Sequence, residues 1–418
     1  MRIEDVETAE LDGRLAAAKI DAPGAGDASA AYRIDVRGFA IGRESPVRAI
    51  DVRHDGMLLH SIPLEVERPK AAAAHGLAGD ARIGFRASLG ALRLATHFEL
   101  GLRALFDDGA TAALGTVRGR RASLETGFRA ERAPLVLTTL GRTGSMALMR
   151  MLEPHPQLLV YKPYRFEQRV ATYWLDLLLT VSDPVSYMRQ VAPAGDIDDP
   201  LWWTGASGPM PWELADSGVE DWLGADGIES FARICQQRIE DVYATIAAQT
   251  GVRDAVFFAE KYPLRTAALA RELYPDAREI FLVRDFRDMI ASILAFNAKR
   301  GVQGFGRAGA AGDRDFVLRL GDWADALVRA WERRSERAHL LRYEELVTTP
   351  RESARDLLAH LGLGAGDGLL DAMVGALDAD LPALADHATA ADPRASAIVS
   401  MVSAAASPAL RKFVGSSC

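Results

Sequence analysis

The stretch LVLTTLGRTGSMALMRML, residues 135–152, decides the fold of the second half of this chain. Its apolar run 135–140 predicts a buried strand, and the residues after the following loop have the apolar spacing of a helix. The loop carries Gly141 and Gly144, which permit a sharp turn and the close approach of a ligand. A strand that runs through a glycine loop into a helix directs several main-chain N–H groups at one anion. Arg142 adds a guanidinium that can bind a phosphate or sulfate bidentately.

This loop is not the loop of nucleoside-triphosphate-binding proteins. The pattern G-x-x-x-x-G-K-[ST] requires Lys and Ser/Thr where this chain has Ala147 and Leu148. A strand, a glycine loop and a helix can also be an ordinary connection between two elements. The loop alone therefore leaves both an anion site and a plain connection open.

The composition excludes several classes of protein. A chain of 418 residues has room for two or three domains, and its net charge of −8 argues against a general nucleic-acid binder. Its two cysteines, Cys235 and Cys418, form no disulfide framework, and its eight histidines show no metal-ligand spacing. We therefore expect no metal and no nucleic acid as partners.

The sequence shows no targeting signal or membrane anchor. The acidic N-terminus lacks the apolar core of a signal peptide, and no apolar run reaches the roughly 18 residues of a transmembrane helix. We expect a cytoplasmic location and no membrane span.

The first part of the chain changes texture near residue 30. Residues 1–29 are polar and rich in alanine and glycine, which predicts a mobile leader or a short helix. Residues 30–120 alternate apolar and polar side chains, with the turn dipeptides Asp55-Gly56 and Asp108-Gly109 between alternating segments. This pattern predicts a small all-β sandwich as an accessory domain. The charged residues 121–133 are the predicted linker.

From residue 134 to 418 strand and helix patterns alternate. Such alternation predicts an α/β domain whose mostly parallel sheet has helices on both faces. Ligands of these sheets bind at the carboxyl ends of the strands. Arg142, Lys261 and Arg284 each stand at the end of a predicted strand, so we expect them at one edge of the sheet.

A second motif, FLVRDFRDMIASILAF, occupies residues 281–296. Arg284 closes a strand and Ser292 follows eight residues later in the predicted helix, so both can reach one phosphate. The charged residues of this motif could instead form a cluster of salt bridges on the surface, and such a cluster contributes little to stability.

Together, these two motifs resemble those of the sulfotransferases that use 3′-phosphoadenosine-5′-phosphosulfate (PAPS). GRTGS is similar to the arginine-led 5′-phosphosulfate loop of carbohydrate and protein-tyrosine sulfotransferases, and VRDFRDMIAS is similar to the 3′-phosphate motif. The segments EKYP and LRYEELVTTP lie in the order that bacterial members show. The resemblance covers residues 134–362 and implies a P-loop-like sheet. The β-rich part resembles sandwich modules of some bacterial carbohydrate-modifying transferases.

The resemblance implies in-line transfer of a sulfuryl group from PAPS to a hydroxyl, with a carbohydrate or glycolipid-type molecule as the acceptor. It assigns Arg284 and Ser292 to the 3′-phosphate and Lys261 to the leaving-group charge. A surface lysine paired with Glu260 is the alternative for Lys261. The residues it assigns to the 5′-phosphosulfate are Gly141, Arg142, Thr143, Gly144, Ser145 and Met146, with Arg142 also acting in catalysis.

The basic loop 299–307, which contains Arg307, is predicted to fold over the nucleotide. A disordered basic loop is the alternative for this segment. Four tryptophans (Trp202, Trp203, Trp212 and Trp222) suit either a lid over the acceptor or an anchor for a long irregular segment.

The general base is the point at which this chain departs from the family pattern. The arginine-led relatives carry a glutamate just after the second strand, where this chain has Tyr161 to Tyr164. The nearest carboxylate is Glu167, which we predict as the base, with His155 as the reserve candidate. A solvated glutamate in the first turn of a helix is the alternative for Glu167.

Two other functions remain open at this point. One is a kinase-like phosphotransferase of the P-loop architecture, and the other is a non-catalytic carbohydrate-binding protein on a degenerate transferase scaffold. The sequence also leaves a homodimer open.

Overall fold

The computed structural model describes residues 1–11, 13–29, 32–160, 169–182, 225–310 and 312–378. The chain divides into two compact units. Unit 1 comprises residues 1–127 and 175–235, and unit 2 comprises residues 128–174 and 236–418. The sequence-based boundaries at residues 120 and 134 remain a prediction.

Unit 1 contains two antiparallel sheets. One has the strand order β1-β9-β8-β4-β5, and the other has the order β2-β3-β7-β6. One buried hydrophobic cluster contains residues of both sheets. Ile34 and Phe85 belong to the second sheet, and Ile50, Leu100 and Phe106 belong to the first. The predicted N-terminal all-β region is therefore confirmed. Its strands are β1 (Arg2–Thr8), β2 (Leu15–Ala22), β3 (Arg33–Gly42), β4 (Val47–His54), β5 (Met57–Pro63), β6 (Val66–Glu67), β7 (Arg82–Gly90), β8 (His97–Phe106) and β9 (Thr111–Arg120), with a short helix α1 (Pro69–Ala74).

The predicted leader over residues 1–29 is wrong, because β1 and β2 lie in this segment. Strand β1 pairs with β9, and its Ile3 is buried in the core of the unit. The many acidic residues around Ile3 occupy the exposed positions of the strand. Polar composition therefore concealed a strand with one buried face.

The predicted turn at Asp55-Gly56 is confirmed in its geometry. The pair joins β4 to β5, with His54 opposite Met57. Both turn residues have positive φ, 56° for Asp55 and 78° for Gly56. Two positive φ values are what a two-residue hairpin of the primed type needs.

Unit 2 is built on a five-stranded parallel sheet with the order β11-β12-β10-β13-β14. The predicted α/β class, a P-loop-like parallel sheet with helices, is therefore confirmed. Its central strand β10 (Ala133–Thr139) contains most of the apolar run 135–140. The strands are β10 (Ala133–Thr139), β11 (Leu158–Val160), β12 (Phe257–Tyr262), β13 (Arg278–Val283) and β14 (Ala338–Arg342).

Helices cover both faces of this sheet because its strands are apolar on both sides. Leu135 and Leu282 belong to a core that also contains residues of α2, α9 and α10. On the other face Phe281 packs with Leu327 of α7. The helices are α2 (Ser145–Leu152), α3 (Val170–Ser182), α4 (Gly227–Thr250), α5 (Leu264–Leu273), α6 (Phe286–Arg300), α7 (Asp313–Glu332), α8 (Tyr343–Thr348), α9 (Pro350–Leu361) and α10 (Asp367–Asp378).

Candidate active site

The loop between β10 and α2 is a tight turn with two left-handed residues. Arg142 has φ 64° and Gly144 has φ 89°. Gly144 is the N-cap of α2, and no side chain caps this end of the helix. The N–H groups of Ser145 and Met146 lie in the first turn, where a helix offers them no acceptor of its own. The loop therefore has the geometry of an anion site.

Thr143 closes this turn from the inside. Its side chain is buried, and its Oγ1 donates to Leu140 O at 3.1 Å. The same oxygen lies 2.5 Å from Thr139 Oγ1. The hydroxyl of Thr143 therefore holds the loop together, and only its main chain can face a ligand.

The side chain of Arg142 extends from the loop to helix α6. Its Nε donates to Ser292 Oγ at 3.2 Å, and its Cζ lies 5.0 Å from the centre of the Phe296 ring. Ser292 and Phe296 are four residues apart and so share one face of the helix. The structure thus brings together two residues that are 150 positions apart in the chain.

Arg284 lies at the same carboxyl edge of the sheet, directly after β13. Its Nη1 donates to Arg142 O at 3.3 Å, and its Cζ lies 4.5 Å from the centre of the Tyr343 ring. Tyr343 also covers the loop, since a Cβ at Gly144 would lie 2.3 Å from its Cδ2. The predicted convergence of the two motifs is present in the structure.

Two buried donors of this group have no acceptor in the described part of the chain. The first is Nε of Arg284, which is buried and makes no hydrogen bond there. The second is the hydroxyl hydrogen of Ser292, whose side chain is 3% exposed and whose oxygen only accepts from Arg142. Buried donors normally find a partner, so these two groups suit a ligand that accepts hydrogen bonds.

The neighbouring charges of the second motif do form a local pair. Asp285 caps α6 by accepting from Arg287 N at 2.8 Å, and its carboxylate pairs with Arg287 Nη2 at 2.9 Å. Burial raises the pKa of Asp285, but the contacts with Arg287 outweigh it and lower the pKa from its usual value. Asp285 N also donates to Glu344 Oε1 at 2.9 Å. The salt-bridge alternative therefore holds for Asp285 and Arg287 but leaves Arg284 facing the loop.

Lys261 stands near the carboxyl end of β12, opposite Leu137 of β10. Its main-chain oxygen accepts from Thr172 Oγ1 at 3.5 Å. Its neighbour Glu260 is 1% exposed and accepts from Ala171 N at 2.9 Å and from Tyr243 Oη at 3.0 Å. Successive side chains of a strand point to opposite faces, so the local environment of Glu260 differs from that of Lys261.

The loop after α6 contacts the glycine loop through an aromatic ring. A Cβ at Gly141 would lie 2.3 Å from Phe305 Cδ1. Arg307, predicted to fold over the nucleotide, pairs with Asp313, and its Cζ lies 5.2 Å from the centre of the Phe316 ring. Arg307 therefore contacts α7, while its Nη1 is buried and makes no hydrogen bond within the described residues. Phe305 of the same segment reaches the glycine loop.

The structure does not bring His155 to this edge. His155 precedes β11 and so lies at the amino edge of the parallel sheet, whereas the glycine loop follows the carboxyl end of β10. Its Nδ1 accepts from Gln157 N at 3.1 Å, and its Nε2 lies 3.3 Å from Gly364 O. Burial lowers its pKa. Glu167 and the four tryptophans lie outside the described residues.

Other features of the described residues lie apart from this group. No cluster of His, Cys, Asp or Glu in that part of the chain could hold a metal ion. None of the helices that the structure describes is both long and apolar enough to cross a membrane. An open groove of about 380 Å³ between α3 and α4, lined by Val170, Trp174, Val242 and Ile246 among others, contains none of the predicted donor residues.

Comparison with known proteins identifies the family. A family profile described as "Sulfotransferase family" matches residues 134–367, which include the glycine loop and the second motif. The chain belongs to the sulfotransferase family. The resemblance inferred from the two motifs is thereby confirmed, and sulfotransfer is the reaction class of this enzyme. Among curated proteins, none matches the chain significantly.

Several solved sulfotransferase structures match part of this chain at low identity. The sulfotransferase domain of a Synechococcus olefin synthase is 19% identical, with a TM-score of 0.34, and the match covers 68% of this chain and 98% of that domain. A Mycobacterium avium sulfotransferase is 17% identical, with a TM-score of 0.32 and coverages of 61% and 70%. A sulfotransferase from Alicyclobacillus acidocaldarius is 16% identical, with a TM-score of 0.32 and coverages of 63% and 99%.

Three aromatic residues of this candidate site were not predicted: Phe296, Phe305 and Tyr343. Tyr343 lies in the LRYEELVTTP segment, and its position directly after a strand was a usable signal. Phe296 lies four residues after Ser292, so helical spacing could have placed it beside that serine. Phe305 gives no such signal, because only the folded loop brings it to Gly141.

Proposed function

We propose that this sulfotransferase takes its sulfuryl group from PAPS and transfers it to a hydroxyl of a carbohydrate or glycolipid-type acceptor. The observation that carries the donor assignment is the contact between the two motifs. Arg284 Nη1 donates to Arg142 O at 3.3 Å, and Arg142 Nε donates to Ser292 Oγ at 3.2 Å. An anion loop and a second group of donors thus adjoin at one edge, as a nucleotide with two separated phosphates requires.

The residues fit such a donor in their chemistry. The buried Nε of Arg284 and the hydroxyl hydrogen of Ser292 lack acceptors among the described residues, and a 3′-phosphate supplies acceptor oxygens. At the other end, the first turn of α2 offers main-chain N–H groups to a 5′-phosphosulfate. Adenosine nucleotides that lack the 3′-phosphate would leave the first group of donors unpaired.

In this proposal each side chain has one task. The loop from Gly141 to Met146 holds the 5′-phosphosulfate, and Lys261 offsets the negative charge that grows on the leaving phosphate oxygen. Glu167 accepts the proton of the acceptor hydroxyl. The oxygen of that hydroxyl forms a bond to sulfur while the bond between sulfur and the bridging phosphate oxygen breaks. The products are a sulfate ester and 3′-phosphoadenosine-5′-phosphate (PAP). No metal takes part in this scheme.

The acceptor assignment rests on different grounds. In sequence, the arginine-led loop resembles that of carbohydrate and protein-tyrosine sulfotransferases, and residues 30–120 resemble modules of some bacterial carbohydrate-modifying transferases. A panel of sugar, glycolipid, tyrosyl-peptide and phenol acceptors, each assayed with labelled PAPS, tests it. Transfer to sugar hydroxyls alone supports the proposal, and transfer confined to phenols or tyrosine overturns the acceptor half.

A thermal-shift comparison tests the donor. We expect PAP to raise the melting temperature more than 5′-AMP, because only PAP pairs the buried donors of Arg284 and Ser292. Arg284→Ala should abolish the difference between the two nucleotides. Equal shifts for PAP and 5′-AMP with the wild-type protein contradict the PAPS assignment, and no shift with either supports a non-catalytic scaffold.

A further inference from the structure

The side chain of Arg142 lies at the end of the proposed donor site opposite to the one that its motif suggests. The loop that contains it is assigned to the 5′-phosphosulfate, yet its guanidinium extends to Ser292 and Phe296 of α6. Both of these residues belong to the helix that is assigned to the 3′-phosphate. The main chain and the side chain of Arg142 thus face different ends of one nucleotide.

We propose that Arg142 is a specificity-determining residue for the 3′-phosphate: its guanidinium, with Ser292 and Arg284, selects 3′-phosphorylated adenosine nucleotides over those without that phosphate. This inference rests on the proposed PAPS donor and adds a role for one residue in choosing it.

The orientation of Arg142 is built into the loop rather than left to a free side chain. Its φ of 64° is a left-handed conformation, which is uncommon for a residue other than glycine. The Phe296 ring lies under its guanidinium at 5.0 Å. Such a contact between a cation and an aromatic ring is attractive and favours this position.

A second left-handed residue braces the same place. Phe305 has φ 57°, and its ring contacts both Gly141 and Phe296, with the two ring centres 5.7 Å apart. The strained backbone is held by Asn297, whose side-chain amide donates to Gly304 O at 3.2 Å and accepts from Gly304 N at 3.1 Å. Two of the non-glycine residues with positive φ therefore meet at this loop, where strain commonly marks a functional site.

Ser292 can serve Arg142 and a phosphate at the same time. A hydroxyl accepts with its lone pairs and donates with its hydrogen. Ser292 Oγ accepts from Arg142, and its hydrogen has no acceptor among the residues that the structure describes. A 3′-phosphate can therefore accept from Ser292 while Arg142 stays in place, and the guanidinium adds positive charge beside it.

Nucleotide binding separates this role from a purely 5′ role. PAP and 5′-AMP share the 5′-phosphate and differ only in the 3′-phosphate. If Arg142 contacted only the 5′-phosphate, its removal would weaken the binding of both nucleotides by the same factor. If Arg142 contacts the 3′-phosphate, its removal weakens the binding of PAP more than that of 5′-AMP.

The experiment measures the dissociation constants of PAP and 5′-AMP by titration calorimetry for the wild type, Arg142→Ala and Arg142→Lys. We expect the preference for PAP to fall by at least about tenfold in Arg142→Ala, as for the loss of a charge-assisted contact. Arg142→Lys keeps a positive charge but lacks the planar set of donors of a guanidinium. Its preference for PAP should therefore lie between those of the wild type and Arg142→Ala. An unchanged preference, with both nucleotides weakened alike, overturns the inference.

Two further variants keep the test valid if Arg142→Ala folds poorly. Phe296→Leu removes the ring under the guanidinium without removing a donor, and we expect a loss of preference of roughly two- to fivefold. Arg319→Ala is the control, because it removes one guanidinium from an exposed pair with Asp315 on α7 and should leave the preference unchanged. Unchanged preference in Phe296→Leu and Arg142→Lys also overturns the inference. A wild-type protein with no preference for PAP would instead overturn the proposed donor.

Discussion

Two groups of polar and charged side chains lie at the two ends of strand β13. They differ in how many of their hydrogen-bonding groups have a partner. At the amino end Glu279, which is 2% exposed, accepts from Thr138 Oγ1 at 2.6 Å, Arg271 Nη1 at 2.7 Å and Arg334 Nη1 at 2.9 Å. At the carboxyl end Arg284 and Ser292 hold donors without an acceptor among the described residues. The first group is complete, and the second is not.

This difference separates a structural role from a binding role. A buried ion cluster whose partners all come from the chain holds β10, β13 and the flanking helical segments together. Donors buried without acceptors cost free energy, so a ligand that supplies acceptors would stabilise the second group. Charge and burial alone would not distinguish the two ends of β13.

The largest effect is expected at the complete group. Glu279→Ala would leave two partly buried arginines without their carboxylate, and breaking a buried pair in this way costs roughly 3–5 kcal/mol. Urea denaturation measures this loss of stability. The folded fraction should still bind PAP in preference to 5′-AMP. A variant that lost this preference but kept its stability would show that Glu279 has a binding role and not a structural one.

Lys261→Ala should have the next largest effect, on turnover. Removal of one preorganised cation from the leaving-group side costs roughly 10²- to 10³-fold in kcat. Steady-state sulfotransfer, together with PAP affinity, measures it, and the affinity should change little. Turnover close to that of the wild type would show that Lys261 is not part of the reacting group.

Glu260 is a second buried carboxylate of the same sheet. Burial raises its pKa to about 7, although the hydrogen bonds from Thr172 and Tyr243 partly oppose this. Because the folded state holds this proton more tightly than the unfolded state, the contribution of Glu260 to stability is lost as pH rises from about 4.5 to about 7. Between pH 5 and pH 8 the free energy of unfolding should fall more for the wild type than for Glu260→Gln. An equal change in the two proteins would argue against the raised pKa of Glu260.

Ser292→Ala should have the smallest effect. It removes one hydroxyl, so PAP binding should weaken by roughly 0.5–1.5 kcal/mol while 5′-AMP binding stays the same. Calorimetry with both nucleotides measures this difference. A loss of equal size for the two nucleotides would place Ser292 outside the 3′ end.

The alternation of strand and helix patterns after residue 134 predicted the α/β class of unit 2, because apolar runs alternate there with segments of helical apolar spacing. Leu135 to Leu140 and the glycines after them were sufficient for the strand and the loop. The strand of residues 2–8 was missed, because one buried Ile3 among acidic residues resembles a polar leader. A short edge segment gives little hydrophobic signal of its own.

The sequence predicted part of the candidate site, and it did not predict how its residues contact one another. The motifs named Arg142, Arg284 and Ser292, but no spacing rule gives the direction of a side chain that starts from a left-handed residue. The contact of Phe305 with Gly141 also depends on the folded loop after α6. Glu260 and Lys261 are neighbours in sequence, and the strand separates their side chains.

The most direct test is a crystal structure of the protein with PAP bound. We expect the 3′-phosphate within about 3 Å of Ser292 Oγ and Arg284 Nε. We expect the 5′-phosphate against the main-chain N–H groups that begin α2. A nucleotide bound at another edge of the sheet, or one whose 3′-phosphate contacts only solvent, would contradict the proposed donor site.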